Sequence, residues 1–120
     1  MKDLKWIGSS RKDLKEFPDE IIDEMGHALH LAQMGERHKH AKTFSGCGSA
    51  NIIEIRESDR SGTYRVVYTV EMDDFIFVLH SFQKKSKSGM ETPKKEIALI
   101  ESRLKDAKSL YKQLKEEKKL

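Results

Sequence analysis

Apolar residues recur first at helical spacing, then in alternation, then at helical spacing again. Leu4, Trp6 and Ile7 allow a short N-terminal strand. Ser10 followed by Asp13 resembles a capping box with Asp in place of Glu, opening a short helix through Leu14 and Phe17. Pro18 suits the first position of a second helix, with Asp19 and Glu20 near its positive end. Ile21, Ile22, Met25, Ala28, Leu29 and Ala32 follow at three-and-four spacing, and Gly35 ends the run. Residues 36–51, with Gly46, Gly48 and several polar side chains, read as a loop.

The middle of the chain alternates. Ile53 and Ile55 are interleaved with Glu54 and Arg56, and Ser58 to Ser61 turn the chain before Gly62. Tyr64, Val66, Tyr68 and Val70 alternate with Arg65, Val67 and Thr69. After the charged turn Glu71 to Asp74, Phe75, Phe77 and Leu79 alternate with Ile76, Val78 and His80. These runs predict an antiparallel three-strand meander. Thr92 and Pro93 then cap a C-terminal helix over residues 93–119, with Ile97, Ile100, Leu104, Ala107, Tyr111 and Leu114 as its apolar stripe. At 1.5 Å per residue that helix is about 40 Å long. The expected class is α+β: two N-terminal helices on a small antiparallel sheet, with a long C-terminal helix.

Register follows from the turns. Val70 opposite Phe75 puts Arg65 opposite His80, and Glu57 opposite Gly62 puts Glu54 opposite Arg65. Glu54, Arg65 and His80 then form one polar row across the sheet. Tyr64, Val66, Tyr68, Phe75, Phe77 and Leu79 fall on the other face, against the helices. A one-residue slip would break that row.

Composition narrows the class. A chain of 120 residues is one domain, with 37% hydrophobic and 36% charged residues and a net charge of +3. No apolar run approaches a membrane span and the Met-Lys-Asp start lacks a signal-peptide stretch, so a soluble cytoplasmic protein is expected. The single Cys47 excludes an internal disulfide framework and a four-cysteine zinc site.

Charge is uneven: Lys84, Lys85, Lys87, Lys94 and Lys95 face only Glu91 between His80 and Lys95. Concentrated basic charge suits an anionic partner such as nucleic acid, although many surface lysines serve only solvation. Beside the polar row it suits phosphate chemistry. An arginine holds a phosphate in bidentate fashion, His80 exchanges protons near neutrality, and Lys84 or Lys85 neutralises developing charge. Taken alone, the row reads first as a cross-strand Glu54–Arg65 ion pair, worth little when exposed, with His80 as filler.

Gly62-Thr-Tyr-Arg-Val-Val-Tyr68, then Phe77-Val-Leu-His-Ser-Phe-Gln-Lys-Lys-Ser-Lys87 and Thr92-Pro93, resemble a known family. The pattern is similar to the phage-derived Gp49-like, HigB-type branch of the RelE toxin superfamily. Leu14-Lys-Glu-Phe-Pro18, Gly35 and Glu54-Ile-Arg56 fit the same pattern.

The resemblance implies the toxin of a type II toxin–antitoxin pair, a metal-independent endoribonuclease that cuts messenger RNA on the ribosome and inhibits translation. In that family the RNA 2′-hydroxyl attacks the adjacent phosphate, leaving a 2′,3′-cyclic phosphate and a free 5′-hydroxyl. It also implies a cognate antitoxin, often a helix-turn-helix protein of the HigA type, through which alone the toxin meets DNA.

By the resemblance, Arg65 is the strand arginine that contacts the scissile phosphate, Lys85 takes the place of a second arginine, and Lys84 is its basic neighbour. Arg56, Lys87, Lys94 and Lys95 are candidates for RNA binding. Glu54 as base with His80 as acid, or the reverse, both fit. A catalytically silent RNA- or partner-binding module and a gyrase-targeting toxin are the competing readings.

His27, His30, His38, His40 and Cys47 lie close in sequence and invite a zinc reading. Their spacing matches no closed structural motif, so no metal or other cofactor is expected. Cys47 has no neighbour in sequence that would activate it.

Overall fold

The computed structural model describes residues 1–84 and 92–118. The order is β1 (Asp3–Trp6), α1 (Ser10–Leu14), α2 (Asp19–Gln33), β2 (Ala41–Thr43), β3 (Ile52–Asp59), β4 (Gly62–Thr69), β5 (Phe75–Lys84) and α3 (Lys94–Lys118). The strands form one five-stranded sheet in the order β1-β5-β4-β3-β2. The meander is therefore the centre of a larger mixed sheet. β1 adds in parallel to β5, and β2 adds antiparallel to β3 inside the stretch expected as loop. Three residues are too few to show a period, so β2 carries no sequence signal.

Both faces of the sheet are covered. α1 and α2 lay Leu14, Phe17, Ile21, Met25, Ala28, Leu29 and Ala32 on Ile53, Ile55, Tyr64, Val66, Tyr68, Ile76 and Val78. α3 covers the other face, where Ile100 and Ala107 meet Ile52, Val67, Phe75, Phe77, Leu79 and Phe82. The α3 stripe stays engaged to Leu114, and Tyr111 meets the Phe75 ring edge-on at 5.9 Å. Among the described residues no helix is long and apolar enough to cross a membrane.

Ser9, not Ser10, precedes α1; its hydroxyl donates to Asp13 Oδ2 at 2.7 Å, while the buried Ser10 hydroxyl donates to the Val78 carbonyl at 3.1 Å. At the end of α2, Gly35 does close the helix, with φ +81° and its N–H donating to the Ala32 carbonyl.

The register also differs. β3 and β4 pair Glu54 with Val67 and Arg56 with Arg65, two residues away from the expected alignment. Between β4 and β5 a bulge intervenes: Thr69 faces Phe77 and Tyr68 faces Val78, but Val67 faces His80 and Arg65 faces Phe82. Leu79 is the extra residue. Phe75, Phe77 and Leu79 therefore lie on the α3 face, not with Tyr64, Val66 and Tyr68. The bulge inverts the alternation, so His80 joins the α3 face as well.

Candidate functional site

A shift of two residues preserves the face, because strand side chains alternate with period two. Glu54, Arg65 and His80 consequently share the α3 face despite the changed register, but as two rows rather than one. Glu54, Val67 and His80 make one row; Arg56, Arg65 and Phe82 make the next. The start of α3 crosses above them, and the polar groups gather into two clusters.

The first cluster surrounds Glu54, whose side chain is only 2% exposed. Its Oε1 accepts from Arg56 Nε at 2.5 Å and its Oε2 from Arg65 Nη1 at 3.2 Å. Arg65 Nη1 also donates to the Thr92 hydroxyl at 3.1 Å, which ties the strand to the residue leading into α3. Arg65 is as deeply buried as Glu54. Burial pushes its guanidinium below the usual range, and the Glu54 carboxylate opposes that push.

Glu54 and Arg56 open onto a cleft of about 530 Å³ between β2, β3 and the start of α3. Lys42 and Lys94 stand at its rim, Thr92 and Gly46 on its walls, and Phe44 and Ile97 supply its apolar lining. A Cβ at Gly46 would lie 2.8 Å from the Phe44 ring, so a larger residue there would force that ring to shift. The cleft thus pairs a carboxylate with cations from three elements. Such a set can neutralise a phosphodiester while a buried carboxylate handles a proton.

The second cluster lies on β5. His80 is buried, its Nε2 hydrogen-bonded to Glu96 Oε2 and its Nδ1 3.3 Å from Arg103 Nη1. Arg103 also donates to the Leu79 carbonyl at 3.0 Å and to the Ser9 hydroxyl at 3.0 Å, joining α3 to β5 and to the start of α1. The imidazole stacks on Phe82 with centroids 4.6 Å apart. Desolvation lowers the His80 pKa below the ordinary imidazole value, and Glu96 works against it. Asp13, Glu16 and Glu96 line the hollow beside His80, which is therefore acidic and unsuited to a phosphate.

Of the remaining candidates, Lys84 ends β5 and is half-buried, Lys94 begins α3 at the cleft, and Lys95 is exposed one position on. Lys85 and Lys87 lie outside the described residues. Lys42, Glu96 and Arg103 are neighbours of the candidate residues that the sequence reading does not select. Lys42 sits on the unsignalled β2. Glu96 and Arg103 flank Ile100 at helical spacing, so polar residues beside the α3 stripe were the available signal. Cys47 is half-buried against α3, and burial pushes its thiol pKa up.

The family model described as Phage derived protein Gp49-like (DUF891) matches residues 12–105. The chain belongs to that family. This Gp49-like protein also shares the fold of solved RelE toxins. It is 19% identical to the isolated E. coli RelE toxin, with a TM-score of 0.56 over 72% of this chain and 89% of that one. Against the intact E. coli RelBE toxin–antitoxin complex the identity is 15% and the TM-score 0.54, over 72% of this chain and all of the matched one. A mutant of the E. coli RelE toxin in the free state, with two arginines replaced by alanine, matches at 15% identity and TM-score 0.56, covering 88% of this chain and 96% of that. No curated protein sequence matches significantly.

Proposed function

We propose that this Gp49-like protein is the toxin of a type II toxin–antitoxin system. It acts in the cytoplasm as a ribosome-dependent messenger RNA endoribonuclease of the HigB type, held in check by a HigA-like antitoxin. The observation that carries the reading is the cleft in which Glu54 lies between Arg56 and Arg65, with Lys42 and Lys94 at its rim. Family membership and the RelE fold support it.

In this reading the scissile phosphate enters from the rim and meets Arg56, Lys42 and Lys94 first. Arg65 sets the position of Glu54 and adds its charge from beneath. Glu54 takes the 2′-hydroxyl proton as the 2′-oxygen attacks phosphorus, and the 5′-oxygen leaves as the cyclic phosphate closes. Lys84 and Lys85 are the remaining candidates for protonating that leaving oxygen, His80 lying in the acidic hollow and not in the cleft. Lys87 and Lys95 extend the basic surface along the RNA.

Controlled expression in bacteria with mapping of transcript 5′ ends tests the proposal. Cuts at one position within translated codons, lost when translation is blocked and lost in Arg56→Ala/Lys94→Ala, are expected. Growth arrest without such cuts refutes it. The burial of Arg65 and His80 beneath α3 favours one competitor, a silent partner-binding module on the same fold, which would give ribosome association without cuts.

A further inference from the structure

Behind the basic cleft, on the opposite face of β3, a separate cluster of imidazoles and carboxylates plays no part in the proposed chemistry. β3 alternates, so Glu54 and Arg56 face α3 while Ile55 and Glu57 face the α2 side. There Glu57 meets the segment joining α2 to β2. One ligand atom each from His38, His40 and Glu57 lie within 4.8 Å of one another.

The arrangement is built rather than incidental. The His40 backbone N–H donates to His38 Nδ1 at 3.0 Å, folding the two rings together with centroids 5.2 Å apart. A donor at Nδ1 requires a lone pair there, so the proton of a neutral His38 sits on Nε2. That nitrogen contacts Glu24 Oε1 of α2 at 2.5 Å. A carboxylate fixing the far nitrogen of an imidazole is the usual outer partner of a metal-bound histidine. His38 is only 4% exposed, whereas His40 is open to solvent and its Nδ1 lies 2.5 Å from Glu57 Oε1.

We propose that His38, His40 and Glu57 bind one divalent transition-metal ion of the zinc class, with Glu24 orienting His38 and water completing the shell. Neutral imidazoles and a carboxylate suit zinc, at about 2.0–2.2 Å per bond. Tetrahedral geometry with such bonds spaces ligand atoms about 3.3 Å apart. Small side-chain adjustments reach that spacing from the present one, because His40 is half exposed and Glu57 moves with it. Entry of the ion takes the His38 Nδ1 lone pair and releases the His40 backbone N–H to water, moves the His40 proton from Nδ1 to Nε2, and leaves His38 Nε2–H on Glu24. The ion would pin the α2–β2 segment and α2 itself to β3. Its role is structural, at a site distinct from the cleft.

The test is zinc titration by calorimetry on the full chain without a histidine tag, with thermal unfolding in zinc and in chelator. One equivalent should bind and raise the melting temperature. Cobalt substitution should give the visible absorption of a low-coordinate nitrogen–oxygen site. His40→Ala and Glu57→Gln should each weaken binding at least tenfold while leaving the chelated protein's melting temperature close to that of the parent. Glu24→Gln should weaken it about tenfold. Cys47→Ser should not change it. No binding at micromolar zinc, or full binding retained by His40→Ala, overturns the proposal. Because the readouts are affinity and absorption, failure of the nuclease reading would leave the result intact.

Discussion

Glu54→Gln distinguishes the energetic weight of the buried charges from their chemistry. Gln nearly matches Glu in volume, so no cavity opens and the change isolates charge. Two guanidiniums lose a carboxylate: Arg56 Nε at 2.5 Å and Arg65 Nη1 at 3.2 Å. Arg56 has a side chain 21% exposed and can turn toward the cleft water, but Arg65, at 2%, cannot. Removing one partner of a buried ion pair costs about 3–5 kcal/mol, and the retained amide oxygen together with the Arg65 bond to the Thr92 hydroxyl favours the lower figure. At roughly 4 °C per kcal/mol for a chain of this size, the melting temperature should fall by about 12 °C. Urea denaturation with an unchanged slope measures the loss directly. The double variant Glu54→Gln/Arg65→Met should recover at least half of it, since removing both charges is far cheaper than stranding one. A loss below about 1 kcal/mol, or a double variant less stable than the single, would refute the reasoning. Arg65→Ala is a poor probe of catalysis, because it takes one of two guanidiniums from the buried Glu54 carboxylate and empties a buried site at the same time.

Arg56→Ala is the cleaner catalytic probe. It should lower cleavage about a hundredfold, the usual cost of losing one preorganised donor, with an unchanged circular dichroism spectrum. His80 should give acid sensitivity. Its folded pKa lies below the unfolded value near 6.5, so the unfolded chain binds more protons between the two. Stability should therefore fall as pH drops from about 6.5 toward the folded value and level off below it. Denaturation of the parent and His80→Gln across roughly pH 5 to 7 checks this, and an identical acid slope in both would exclude His80 as its source. Gly8→Ala should cost about 1–2 kcal/mol, since Gly8 has φ +55°. Its added Cβ would also lie 2.8 Å from Arg103 Nε, so Arg103 must shift from Ser9 and His80. Thermal unfolding reads the loss, and the acid slope of His80 should change with it.

Much of the architecture was legible because it is local. Helical spacing from Ile21 to Ala32 and from Ile97 to Leu114 marks apolar faces whatever they pack against, and Gly35 acts within one turn. Alternation in β3 and β4 likewise placed Glu54 and Arg65 on one face, since an error of two residues leaves faces unchanged. The start of β5 was not legible. A bulge at Leu79 shows no signature in Phe75-Ile-Phe-Val-Leu-His80, where apolar residues occupy both sets of positions.

Only tertiary structure assigned the faces and their contents. α3 could have joined α1 and α2; with both sheet faces apolar, it covers the second one and brings Thr92, Glu96 and Arg103 to Arg65 and His80. That separates the polar candidates into a basic cleft and an acidic hollow. It also set His38 and His40 against Glu57, a convergence that spacing along the chain cannot express. Periodicity records which residues leave water. Which partners they meet depends on bulges, chain reversals and helix placement, whose energies come from contacts distant in sequence.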